Sequence, residues 1–165
     1  MSGKNQGAGS GDYIDCGQLG DYGVLQKKDN RPGDDMAYER DHIPSKQALI
    51  EKAKSLISPK VLSEEAIKRI VANSKAIVIP RMAHQKISPT FGGRQRQKIE
   101  EMKRTLWDAD HLSKAAQRDI ESMLGKHEYL PEPCRTKYEE SANEILKKTD
   151  KDYEAFLWRM IKNKV

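Results

Sequence analysis

The sequence predicts an α+β fold that is predominantly helical, with one small β component. Three observations carry this. Apolar residues recur at helical spacing in several stretches. One run, Ala76-Ile77-Val78-Ile79, is short, rich in β-branched residues and closed by Pro80. The 165 residues are 36% hydrophobic and 33% charged, which suits one domain with a polar surface rather than a chain disordered throughout. No apolar run exceeds four residues, far short of the ~20 that a membrane-spanning helix needs. No charged start followed by an apolar stretch predicts a secretory signal peptide.

Residues 1–35 read as a Gly-rich linker or extended lead-in, and 36–165 as a single domain. Seven of the 11 glycines fall at or before Gly23, with little apolar periodicity. Tyr13, Ile14, Leu19, Tyr22, Val24 and Leu25 are enough for part of the lead-in to pack on the domain. A helix begins at Ser45, with Ala48, Leu49, Ala53, Leu56 and Ile57 on one face, and Ser58-Pro59 ends it. Ser63 caps a second helix. Glu64 and Glu65 suit its positive end, and Ala66, Ile67, Ile70 and Val71 form its apolar face. The strand over 76–80 follows. Met82 to Ile87 forms a short helix, and Ser88-Pro89-Thr90-Phe91-Gly92-Gly93 a loop. Gln95 to Leu124 is helical with a break near Asp108, and Gly125 stops it. Pro131 and Pro133 mark a turn. Tyr138, Ala142, Ile145 and Leu146 make one further stripe; Phe156, Leu157, Met160 and Ile161 make the last. Trp107, Trp158, Phe156 and Met160 are expected in the core. Cys16 and Cys134 are too few for a disulfide framework or a Cys-only zinc site and are expected as free thiols.

The net charge of +5 is local. Seven Lys and Arg but only two Glu lie between Arg81 and Arg104, so this segment carries the whole excess and the rest is neutral. Such a segment suggests a polyanion partner, with nucleic acid the first candidate.

Of the four histidines, His42 and His84 have informative neighbours. His42 stands in Glu39-Arg40-Asp41-His42-Ile43-Pro44-Ser45. His84 follows the strand, in Ile79-Pro80-Arg81-Met82-Ala83-His84. Phosphodiester hydrolysis needs a base for the attacking water, a cation for developing charge and donors for the phosphate. An Asp-His pair at a strand end divides that work if the turn at Pro44 brings both side chains into one site. A second His on the next helix adds a metal ligand, since imidazole and carboxylate suit Mg, Mn, Zn or Ni in different geometries. The loop contributes Ser88, Thr90, the Gly93 amide and Arg94 as phosphate donors, with Arg81 and Arg96 nearby. Asp108 and Asp110 beside His111 read as helix caps, and His127 as structural or exposed.

Asp41-His42, then a strand leading to His84, resembles the His-Asn-His nucleases of the ββα-metal fold. The resemblance implies a small core of strands near 38–43 and 76–80 with a helix from about 81. Residues 46–73 would then be a helical insertion, with further helices C-terminal. It implies His42 as general base, with Asp41 and His84 as ligands of a divalent metal ion. The family's middle Asn has only Asn73 as a candidate, and Ser88 stands where a further helix His would be, so the third ligand stays open. The strings RDHIPS, SPTFGGR and DADHLSKAAQRD resemble C-terminal toxin domains of bacterial polymorphic toxins, carried by Rhs, PAAR or pyocin-like delivery proteins. That resemblance spans roughly Tyr38 to Asp119. It implies an antibacterial effector delivered by a secretion system into a target-cell cytoplasm, and a cognate immunity protein. The reading is a metal-dependent DNase, with DNA favoured over RNA. Two alternatives stand beside it: a metal-independent RNase using His42 and His84, and a non-catalytic module binding nucleic acid or protein.

Overall fold

A computed structural model describes residues 13–32, 37–87, 95–125 and 127–162. Strand β1 (Leu19–Asp21) and the short helix α1 (Tyr22–Gln26) come first, followed by β2 (Tyr38–His42). The helices α2 (Lys46–Ile57) and α3 (Glu64–Asn73) are inserted before β3 (Lys75–Pro80). Then come α4 (Arg81–Ile87), α5 (Gln95–Asp110), α6 (Leu112–Leu124), α7 (Cys134–Leu146) and α8 (Asp150–Lys162). The chain is mostly helical, with one antiparallel sheet in the order β1-β3-β2.

The central strand is the one whose sequence is most apolar. Ala76, Ile77, Val78 and Ile79 are all fully buried, because β3 has a strand on each edge and helices on both faces. Its alternation divides the core. Ile77 and Ile79 face α6 and α7, packing with Ile120, Tyr138 and Ile145. Ala76 and Val78 face Ile14 and Leu25. Burying one such Ile contributes ~1.5–3 kcal/mol, so Ile77→Asp would remove the sheet's main attachment to its helices.

A separate core joins the inserted hairpin to the C-terminal helix, through Leu49, Ala53, Ile70, Tyr153 and Leu157. Both hairpin helices start on serines whose hydroxyls cap them: Ser45 Oγ accepts from the Ala48 amide at 3.2 Å, and Ser63 Oγ from the Ala66 amide at 3.1 Å. Arg69 ties α3 to α8 by donating twice to the Met160 carbonyl, at 2.9 and 2.8 Å.

Part of the lead-in packs on the domain as expected: β1 pairs with β3, and Ile14 and Leu25 are buried. The structure departs from the sequence reading at three places. The cysteines are not free thiols, since Cys16 and Cys134 form a disulfide with Cα atoms 5.1 Å apart. The compartment argument for free thiols misses the proximity that folding creates between residues 118 apart. Gly17 explains how the lead-in comes so close to α7. Its φ is +88°, and a Cβ there would lie 2.6 Å from Lys137 Cβ, so only glycine fits. Trp107 and Trp158 are not core residues but are 46% and 36% exposed, while Phe156 and Met160 are partly buried. Finally, Asp108 is not a helix cap. It sits within α5 and binds the Arg118 guanidinium, while His111 occupies the start of α6.

Candidate functional site at the edge strand

Strand β2 carries the Asp-His pair and lies at the sheet's edge. All five of its residues are half-buried, whereas β3 is buried from Ala76 to Pro80. Its register sets the faces. Glu39 and Asp41 pair with Ile79 and Ile77, and so point toward α4, α6 and α7. Arg40 and His42 pair with Val78 and Ala76, and point toward α1 and α3. The expectation that Pro44 turns Asp41 and His42 into one site is therefore corrected. The ladder continues through His42, and the Ile43 amide still bonds the Lys75 carbonyl, so the pleat keeps the two side chains on opposite faces.

On the α1 face the polar groups are satisfied. Arg40 donates from Nε to the Leu25 carbonyl at 3.1 Å and from Nη2 to the Lys28 carbonyl. The His42 ring stacks on Tyr22, with centroids 4.2 Å apart. Its Nε2 lies 3.1 Å from the Val71 carbonyl. A carbonyl only accepts, so Nε2 carries the hydrogen and Nδ1 is the accepting nitrogen. Burial holds the His42 pKa below its ordinary value, against the raising effect of that carbonyl bond, and so favours the neutral ring.

The opposite face gathers charge. Glu39 bridges two residues of α4: its Oε2 accepts from Arg81 Nε at 2.8 Å, and its Oε1 lies 3.8 Å from His84 Nδ1. Deeper, burial pushes the Asp41 carboxyl up to about 7, with the Asp119 and Glu39 carboxylates adding to the rise. Asp119 is also raised, chiefly by burial, although Arg118 Nη2 donates to it at 2.9 Å. Arg118 holds Asp108 by two bonds of 2.8 Å, a bidentate fork. The Tyr138 hydroxyl completes the group. It is buried without a hydrogen-bond partner among the described residues, and its pKa is raised by burial and by Asp41 and Asp119.

The structure thus brings Asp41, Arg81 and His84 to one face, with His42 on the other side of the same edge strand. Ser88, Thr90, Gly93 and Arg94 lie outside the described residues, as does the side chain of Arg96. Asn73 bonds its own helix, donating to the Arg69 carbonyl at 2.9 Å. Sequence reasoning passed over Glu39, Asp119 and Tyr138. Glu39 was findable, being two residues before Asp41 and therefore on the same strand face. Asp119 and Tyr138 arrive from distant helices and leave no local signal. Glu39, Asp41 and His84 have the donor chemistry for a divalent ion. Yet Glu39 is engaged by Arg81, and among the described residues no three His, Cys, Asp or Glu side chains group so as to hold one.

Comparison with protein-family models, curated proteins and solved structures finds no match for the chain. No helix among the described residues is long and apolar enough to cross a membrane.

Proposed function

We propose that the protein cleaves phosphodiester bonds in nucleic acid along the outer edge of β2. One observation carries the reading: this half-buried edge strand bears a histidine whose burial favours the neutral ring and whose Nδ1 has no hydrogen-bond partner among the described residues. At a sheet edge, side chains from both faces flank the outer side, so a strand of nucleic acid lying there reaches His42 from one face and Arg81 and His84 from the other. His42 Nδ1 takes the proton of the attacking water. Arg81, at the head of the basic segment, stabilises charge on the phosphate. Affinity comes from backbone contacts of Arg and Lys, which carry no base information and suit an effector that destroys any genome. The resemblance assigns Asp41 and His84 to a divalent ion and adds a bacterial setting, secretion-system delivery to a target-cell cytoplasm and a cognate immunity protein; these belong to the same proposal.

The test is incubation of purified protein with plasmid DNA and total RNA, with Mg²⁺ or with EDTA. DNA cleavage that EDTA stops is the expected result. His42→Ala should lower it by ~10²–10⁴-fold with the fold intact. Full cleavage by that variant overturns the reading, and absence of turnover on either nucleic acid leaves a binding module in its place.

A second reading, RNA cleavage without metal, is favoured by the Glu39–His84 contact, which orients an accessible imidazole beside Arg81. In it the RNA 2′-hydroxyl is the nucleophile, and undiminished RNA cleavage in EDTA with intact DNA selects it. His42 and His84 sit on opposite faces of β2, so in this version too they act on a substrate that wraps the edge.

A further inference from the structure

A cleft of about 670 Å³ opens where the two larger cores meet, between the α7–α8 corner and the ends of β2 and β3. Its volume lies in the range of small-molecule sites, ~300–1,000 Å³. Ile43 of one core and Leu49 and Tyr153 of the other line it, so its floor is apolar. Four cations stand around it: Lys75, Lys147, Lys148 and Arg159. Two are neutralised. Lys75 pairs with Asp21 at 2.6 Å, and Lys147 with Glu144 at 2.9 Å. Lys148 and Arg159 form no ion pair among the described residues. The remaining acid at the rim, Asp152, accepts from the Thr149 amide at 2.8 Å, and that bond together with the Lys148 charge holds its carboxyl below the ordinary range. The Arg159 guanidinium sits 5.9 Å from the centroid of the Phe156 ring, which gives the wall a flat cationic face. Tyr153 is only 6% exposed, and its buried hydroxyl has no hydrogen-bond partner among the described residues.

We propose that this cleft binds a nucleotide. Each part answers to one part of such a ligand. Arg159, which forms no ion pair among the described residues, supplies positive charge for a phosphate, with Lys148 beside it. Phe156 with Arg159 offers a stacking surface for a base. A simple anion would use the cations and leave the ring wall and apolar floor unexplained; an aliphatic ligand would leave the cations unexplained. The cleft begins at Ile43-Pro44, directly after His42, and at Asn73-Ser74, close after the carbonyl that holds the His42 ring. A nucleotide of a strand lying along β2 would therefore reach it. The inference deepens the proposed function and rests on it only for where the nucleotide comes from.

Calorimetric titration of the whole protein with 5′-AMP, inorganic phosphate and a short oligothymidylate tests this. AMP should bind at one site and phosphate more weakly. Arg159→Ala and Lys148→Ala should each weaken AMP by about tenfold, the loss expected for a charge-assisted contact. Oligothymidylate that competes with AMP makes the nucleotide part of a strand; oligothymidylate that does not makes it a free mononucleotide. No AMP binding, or equal affinity in wild type and Arg159→Ala, overturns the proposal. Cleavage assays on the same samples separate the two readings. A protein that cleaves nucleic acid but ignores AMP lacks only the cleft site, and one that binds AMP but never cleaves lacks only the activity.

Discussion

The two faces of β2 treat polar groups in opposite ways, although their residues alternate along five positions. Toward α1, Arg40 spends its guanidinium on two backbone carbonyls, and His42 is both stacked and bonded. Toward α6 and α7, Asp41 is enclosed among other carboxylates, and the Tyr138 hydroxyl has no partner among the described residues. Satisfied polar groups stabilise a fold, while buried unsatisfied ones cost it free energy. The first face holds its polar groups in hydrogen bonds, while the second carries a carboxyl raised by burial and a hydroxyl without a partner among the described residues.

Substitutions on the two faces should therefore change stability with opposite signs. The largest effect is expected at Arg40. Arg40→Met removes both bonds and leaves the Leu25 and Lys28 carbonyls without that donor, for a loss of about 3 kcal/mol in urea denaturation. Equal stability would mean that this face is not the satisfied one. Asp41→Asn should act the other way, stabilising by ~2 kcal/mol at pH 8 and little at pH 4. The sign follows from linkage. The folded-state pKa of Asp41, about 7, lies above the unfolded value of 3.8. Between those values the folded state keeps a proton that the unfolded chain has released, so the penalty grows as pH rises from about 4 and is complete above about 7. Urea curves of both proteins at the two pH values measure it, and a gain that is equal at both removes the burial account. Tyr138→Phe deletes the unpartnered hydroxyl and should stabilise by about 1 kcal/mol. Destabilisation of that size would reveal a bonded hydroxyl.

The smallest effect is an acid-side counterpart. The His42 pKa is lowered on folding, so in acid the unfolded chain binds a proton that the folded state resists. Stability should then fall slightly as pH drops below about 6.5, the ordinary His value. His42→Gln should remove that fall while leaving the loss that Asp41 sets between about pH 4 and 7.

The helices and the central strand were legible because their signals are local. The first helix starts at Ser45 and Ser63 caps the second as expected, and the run from Ala76 to Ile79 is the buried strand. Strand β1 was not legible: Leu19-Gly20-Asp21 has no alternation to read and becomes a strand only because β3 offers it an edge. The exposed Trp107 escaped for a related reason. Its spacing fits a helix, but spacing alone does not say which side of α5 meets the core, and Asp108 takes the buried position. At the candidate site, Asp41, His42 and His84 were visible as residue types at suggestive spacing. Their division between two faces was not, because it depends on whether the ladder ends before or after His42. The enclosure of Asp41 depends on Asp119 and Tyr138, which meet it only once α6 and α7 have packed on the sheet.

The disulfide has a mechanical consequence. Cys16 is joined to Cys134, so tension applied ahead of Cys16 passes through sulfur directly into α7 and bypasses the 117 residues between them. The sheet, the inserted hairpin and the edge strand lie inside that bypassed loop and bear none of the load. Traction from that side would peel α7 and α8 from their neighbours first, and threading through a narrow channel would stall at the loop until a reductant opened it. Under reducing conditions the same pull would meet Gly17, whose amide bonds the Val78 carbonyl at 2.7 Å, and would enter the molecule through β1 and the centre of the sheet. The redox state of one bond thus selects which half of the protein yields first.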